Sequence, residues 1–282
     1  MTTQGPEVEI GNHPVETFLR LRGFVRSKNT EAESIEKQIG LRFPQLPIRI
    51  DLNHRVNRLA LALKRRLGDS FAKVVDIHFQ DGAAAFYLAE YNAFVVRGQK
   101  DAQGQFVELH ENMHSMVYQL NPQLIHDSLS EAVNTLHELE KTGKVSNLND
   151  QSLAYKFFDE GVCEWVATEV YFRNQGKTDP KSLMFVHLKT IQNKYAMLNM
   201  PRKHINELNL DLDTEEGRQL LLEGCYLVGH QFVFLAMQHL INEVGIETGD
   251  ALKIMIANPP RTKDQIKDPK KYVAELVQRE AS

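Results

Sequence analysis

Residues 106–120 read Phe-Val-Glu-Leu-His-Glu-Asn-Met-His-Ser-Met-Val-Tyr-Gln-Leu, and within them His110, Glu111 and His114 form the pattern His-Glu-x-x-His. Phe106, Leu109, Met113, Val117 and Leu120 recur at helical spacing, so the stretch is predicted to be a helix with one apolar stripe. At about 100° per residue, His110 and His114 lie about 40° apart and one turn above one another. Both imidazoles can then reach a single ion from a face separate from the apolar stripe. Glu111 projects from the flank of that face, where it can hold a water without itself being a ligand.

A catalytic zinc takes three protein ligands and keeps a fourth position for water, so the two histidines need a further donor. The metzincin continuation would put Gly at 117 and His at 120, and this chain has Val117 and Leu120 there. A carboxylate on a later helix is the remaining common source. The segment Phe157-Phe158-Asp159-Glu160-Gly161-Val162-Cys163-Glu164-Trp165-Val166 is the best candidate, with Glu160 and Glu164 sharing a helix face.

On the N-terminal side, helices are predicted over 13–25, 30–39 and 53–67, the second opening on a capping box of Thr30 and Glu33. Strand patterns fall at 47–51, 74–79, 83–89 and 92–97, with Asp81-Gly82 as a hairpin signal. On the C-terminal side helices are predicted over 123–141, 151–174, 180–198, 214–244 and 248–257. Strands first and helices later predict an α+β fold: a small mixed sheet with helices, then a mostly helical lobe, with a cleft between them. The whole of 1–282 reads as one domain with sub-lobes 1–121 and 122–282.

The 282 residues are 42% hydrophobic and 25% charged, enough to bury a core without disulfides. The 33 basic and 37 acidic residues are spread along the chain, so no basic field points to nucleic acid or an anionic membrane. Cys163 and Cys225 fit no four-ligand zinc or redox spacing and are read as reduced core thiols. The apolar stretch 220–240 contains Glu223, His230, Gln231, Gln238 and His239, which a bilayer would penalise, so a buried helix is predicted instead. The first eleven residues lack a basic start and an apolar h-region, which sets a cytoplasmic expectation.

Taken together, the two helices at 106–120 and 151–174 resemble those of the gluzincins, the thermolysin-like zinc peptidases and their small bacterial peptidase-MA-like relatives. In that family the His-Glu-x-x-His helix is followed by one carrying Glu-Gly-x-x-x-Tyr/Trp, and Glu160-Gly161-Val162-Cys163-Glu164-Trp165 is similar to it. The likeness implies a zincin-like fold and one zinc ion held by His110, His114 and Glu160. It implies Glu111 as catalytic base and Glu164 as an acid that hydrogen-bonds a ligand histidine from outside.

Residues 82–97 resemble the hairpin that precedes the family's active helix, whose edge strand would pair with a peptide substrate. Ala83, Ala84, Ala85 and Phe86 would then line the cleft. The run Tyr226-Leu227-Val228-Gly229-His230-Gln231-Phe232-Val233 is similar to a late helix that offers a Tyr or His to the oxyanion, which makes Tyr226 and His230 the candidates. A tail at 258–260 and 268–272 also looks like one seen after such domains, and the resemblance spans roughly residues 72–272. The spacer between His114 and Glu160 is longer than in thermolysin, and the extra length fits a helix at 123–141 and a polar loop at 142–150.

The implied activity is zinc-dependent hydrolysis of a peptide or protein substrate. The Gly-x-Met-Glu-Asn signature of the one-zinc aminopeptidases is absent from 82–92, which favours an endopeptidase. Two other readings compete: a catalytically idle zincin-fold module that binds proteins, and a zinc hydrolase of a non-peptide amide. An intact Glu111 argues against the idle module, since a purely structural site gains little from a base.

Overall fold

A computed structural model describes residues 29–51, 85–88, 92–96, 102–124, 149–198, 200, 205, 207–208 and 214–280. The described chain runs α1 (Thr30–Ile39), β1 (Ile48–Asp51), β2 (Ala85–Leu88), β3 (Ala93–Val96), α2 (Ala102–Leu120) and α3 (Asp150–Asn174). It continues with α4 (Pro180–Leu198), α5 (Glu215–Leu222), α6 (Gly224–His239), a π-helical turn (Leu240–Val244), α7 (Thr248–Ala257), α8 (Lys263–Lys267) and α9 (Pro269–Glu280). Among the described residues the chain is thus mostly helical with a small sheet, the α+β class in its coarse form. The expected helices over 13–25 and 53–67, most of 123–141, the strand over 74–79, the Asp81-Gly82 turn and residues Ala83 and Ala84 lie outside the described residues.

The three described strands are ordered β1-β3-β2. β3 pairs parallel with β1, Ile48 opposite Ala93, and antiparallel with β2, Ala85 opposite Val96. All four residues of β3 are buried, as a continuous apolar run in a central strand should be. β2 is an edge strand among the described residues, and α2 packs against both β2 and β3.

Beneath the sheet, α2, α3 and α6 carry the core. Phe157, Phe158, Phe232, Leu109, Met113 and Met116 are fully buried within one apolar cluster that runs from Ala32 to Leu276. The apolar stretch that raised the question of a membrane is α6, a buried helix of this core, and among the described residues no helix is long and apolar enough to cross a bilayer. Cys163 and Cys225 are buried and unbridged.

α3 and α6 are in direct backbone contact where Gly161 meets Gly229. A Cβ built on Gly229 would lie 1.9 Å from the Phe157 carbonyl oxygen, and one built on Gly161 would lie 2.3 Å from the Gly229 carbonyl carbon. Only glycine at both places lets the two backbones touch.

Three departures from the sequence expectation go beyond small shifts at strand and helix ends. The cap of α1 is Asn29 rather than Thr30: its side chain accepts from the Ala32 N–H at 3.2 Å. The same side chain donates to Asn112 Oδ1 at 2.7 Å and to the Pro47 carbonyl at 3.2 Å, so the cap also ties α1 to α2. α2 starts at Ala102, four residues before the predicted 106, with Gln103 and Gln105 exposed in its first turn. The expected helix over 214–244 is interrupted at Glu223, and its last turn widens to π before Gly245 ends it in the left-handed conformation at φ 81°.

A buried ion pair fastens the sheet to α2. Arg49 Nε donates to Glu108 Oε2 at 2.8 Å and the guanidinium closes a second bond to Oε1. Arg49→Ala is expected to cost about 3–5 kcal/mol, because it leaves a buried carboxylate without its partner. The check is the midpoint of urea unfolding, and a midpoint equal to wild type would contradict it.

Candidate metal centre

α2 and α3 cross antiparallel, so that lower-numbered residues of one face higher-numbered residues of the other. His110 and His114, one turn apart on α2, bring their Nε2 atoms within 3.2 Å of each other. From α3, Glu160 Oε2 stands 3.3 Å from His110 Nε2 and 3.7 Å from His114 Nε2. Zinc bonds of ~2.0–2.2 Å arranged tetrahedrally put neighbouring donors ~3.3–3.6 Å apart, and the three separations of 3.2, 3.3 and 3.7 Å bracket that range closely. Glu160 Oε2 is buried and has no hydrogen-bond partner, although its other oxygen accepts from Lys156 Nζ at 3.3 Å. A buried carboxylate oxygen facing two imidazole nitrogens without a shared bond is a costly arrangement that a divalent cation relieves. Burial opposes the charge on Glu160, but Lys156 and the two histidines hold its carboxyl well below the usual range.

The far side of each imidazole faces an acid. Glu164 Oε1 lies 3.5 Å from His110 Nδ1, and its other oxygen accepts from Lys194 Nζ. Asp159 Oδ2 lies 3.1 Å from His114 Nδ1 and also accepts from the Tyr118 hydroxyl at 2.9 Å. An Nδ1 proton donated to Asp159 leaves the His114 Nε2 lone pair facing His110 and Glu160, whereas His110 Nδ1 makes no hydrogen bond across its 3.5 Å gap to Glu164. Burial works to lower the His114 pKa, and the Asp159 carboxylate overrides it and raises the value well above normal. Tyr87 of β2 and Tyr118 stack on the His114 ring at 6.5 and 6.0 Å between centroids.

Asp159 and Tyr118 escaped the reading of the sequence. Tyr118 follows His110 and His114 at the same i+4 step, so the spacing contained it. Asp159 adjoins Glu160, but its pairing with His114 depends on the antiparallel crossing. Asp159→Ala is expected to weaken metal affinity by about 10–100-fold. Competition against a chromophoric chelator measures it, and an unchanged affinity would remove the assigned role.

Glu111 is buried on the flank of the histidine face, and burial pushes its pKa up, partly countered by His114 and His110. A carboxylate so placed is a better proton acceptor than one in water. The Tyr226 ring of α6 sits 5.8 Å from that of His110. The charge on Glu160, followed by burial, raises its pKa, so the phenol keeps its proton and can donate.

His230 goes elsewhere. It is fully buried, with its Nε2 2.9 Å from His187 Nδ1, while His187 Nε2 lies 2.9 Å from Glu169 Oε2. Arg173 in turn donates to Glu169 Oε1 at 2.6 Å. The structure therefore brings Tyr226, not His230, beside the donors: one further helical turn carries His230 into the packed interface of α6 with α4 and α3. Ala85 is half-buried on β2, whose backbone also includes Phe86.

A second donor belongs to the same neighbourhood. The Cys163 sulfur and one ring nitrogen from each of His110 and His114 lie within 4.8 Å of one another. Burial pushes this thiol's pKa well up. No family model, curated protein or solved structure matches the chain.

Proposed function

We propose that the protein is a zinc-dependent peptidase of the gluzincin type, with a zincin-like fold and an endopeptidase mode of cleavage. One observation carries this reading: two imidazole nitrogens and an unpartnered buried carboxylate oxygen, 3.2–3.7 Å apart, converge from two helices beside a buried glutamate. His110, His114 and Glu160 would hold the ion. Bound zinc supplies Lewis acidity, polarising a carbonyl oxygen and acidifying a water.

Glu111 takes the proton from the attacking water and passes it to the leaving amine. Tyr226 donates its hydroxyl to the negative charge that develops on the carbonyl oxygen. Asp159 keeps the His114 imidazole in the tautomer and orientation that present Nε2. Tyr87 brings β2 against His114, so a substrate strand added to the edge of β2, along Ala85 and Phe86, would run past the donors.

Metal analysis of the purified chain with a peptide-library digest tests the assignment. Wild type is expected to contain one zinc per chain and to lose cleavage on chelation while keeping its helical circular dichroism. His110→Ala and His114→Ala are expected to bind zinc poorly, and near-stoichiometric zinc in either would refute the ligand set. Unfolding on chelation with no cleavage at any stage would identify the ion as structural instead.

A further inference from the structure

Cys163 is a donor at this centre that the proposed reaction leaves idle. It lies on α3 between Glu160 and Glu164, one turn after Asp159, with its side chain fully buried. Its sulfur falls within 4.8 Å of one ring nitrogen from each of His110 and His114, a compact set of three metal-binding atoms without Glu160. Glu160 Oε2, on the preceding turn of α3, is buried without a hydrogen-bond partner. The histidine pair therefore has two candidate third donors on the facing helix, one hard and one soft. Zn2+ is borderline and takes either donor, whereas the softer Cd2+ favours sulfur over a carboxylate oxygen, so the two donors sort these ions by degree of softness.

We infer that a thiophilic divalent cation such as Cd2+ is captured by His110, His114 and the Cys163 thiolate, in place of the Glu160 coordination that zinc uses. On binding, the S–H bond breaks, a sulfur–cadmium bond forms, and the proton leaves to the buffer. No electron changes hands. Glu160 is released to Lys156, and the cation locks the peptidase centre in a form that does not turn over. The inference rests on the ion site proposed above and adds to it a selectivity between classes of cation.

The test uses the full chain stripped of metal and titrated with Cd2+, followed by ultraviolet thiolate-to-metal charge-transfer absorption. Wild type, E160Q and C225S are expected to develop the band and saturate at one equivalent. C163S is expected to lack it and to lose Cd2+ affinity by at least the ~10–100-fold that removal of even an outer partner costs, while binding Zn2+ as wild type does. Should serine at this apolar depth prevent folding, as judged by circular dichroism, C163A is read in its place. Stoichiometric Cd2+ with no sulfur band, or a band that survives loss of Cys163, overturns this inference and leaves the zinc reading standing. A wild-type chain that binds neither ion overturns both.

Discussion

Glu111→Gln is expected to retain its zinc and lose peptide cleavage by about 10²–10⁴-fold, the range that positioned acid–base catalysis contributes. The substitution keeps the size and shape of the side chain and removes its ability to accept a proton. Glu111 makes no bond to the donor triad, so the ion should remain. Its burial, which pushes the carboxyl pKa up, suits it to exchange protons with a water and then an amine. The paired readout is zinc content and kcat/KM on one peptide. Normal cleavage would remove Glu111 as the base, and loss of zinc along with activity would make it part of the cradle instead.

Gly229→Ala is expected to be the most damaging single-atom change in the described core. Its new Cβ would sit 1.9 Å from the Phe157 carbonyl oxygen, and that neighbour is backbone in the middle of α3. Overpacking of this kind costs typically about 1–3 kcal/mol, and more where no flexible side chain can yield. The helices must separate, and Tyr226, one turn before Gly229 on α6, moves away from His110 as they do. A lowered urea midpoint and reduced kcat in the folded fraction are the expected results. A variant as stable as wild type would mean that the two helices meet by some other packing.

Much of this was legible because it is local. The shared face of His110 and His114 follows from helical spacing alone, and so does the stripe of Leu109, Met113 and Val117 that turns the opposite side of α2 to the core. Glu160 could be singled out only through its likeness to a Glu-Gly-x-x-x-Trp pattern. The second glycine of the crossing, Gly229, carried no signal, because a glycine inside a helix says nothing of which backbone it will touch. His230 misled for the same reason: it lies four residues after Tyr226, but its bond to His187, 43 positions away in sequence and itself held by Glu169, decided its place. Asn29 displaced Thr30 as helix cap because its amide can also reach Asn112 and Pro47, partners that no window around residue 30 contains.

Asp159, Glu160 and Glu164 all ride on a single rod. Lateral drift of that rod carries the acidic half of the cradle as one piece, so three separations that look independent collapse into one mechanical variable, the gap between two axes. Where Gly161 meets Gly229 the rod bears on α6 through bare backbone, with no side chain in between. Spacing of the cradle is thereby delegated to a seam that holds none of the proposed donors, so a change there would reset the separations without altering any of those atoms.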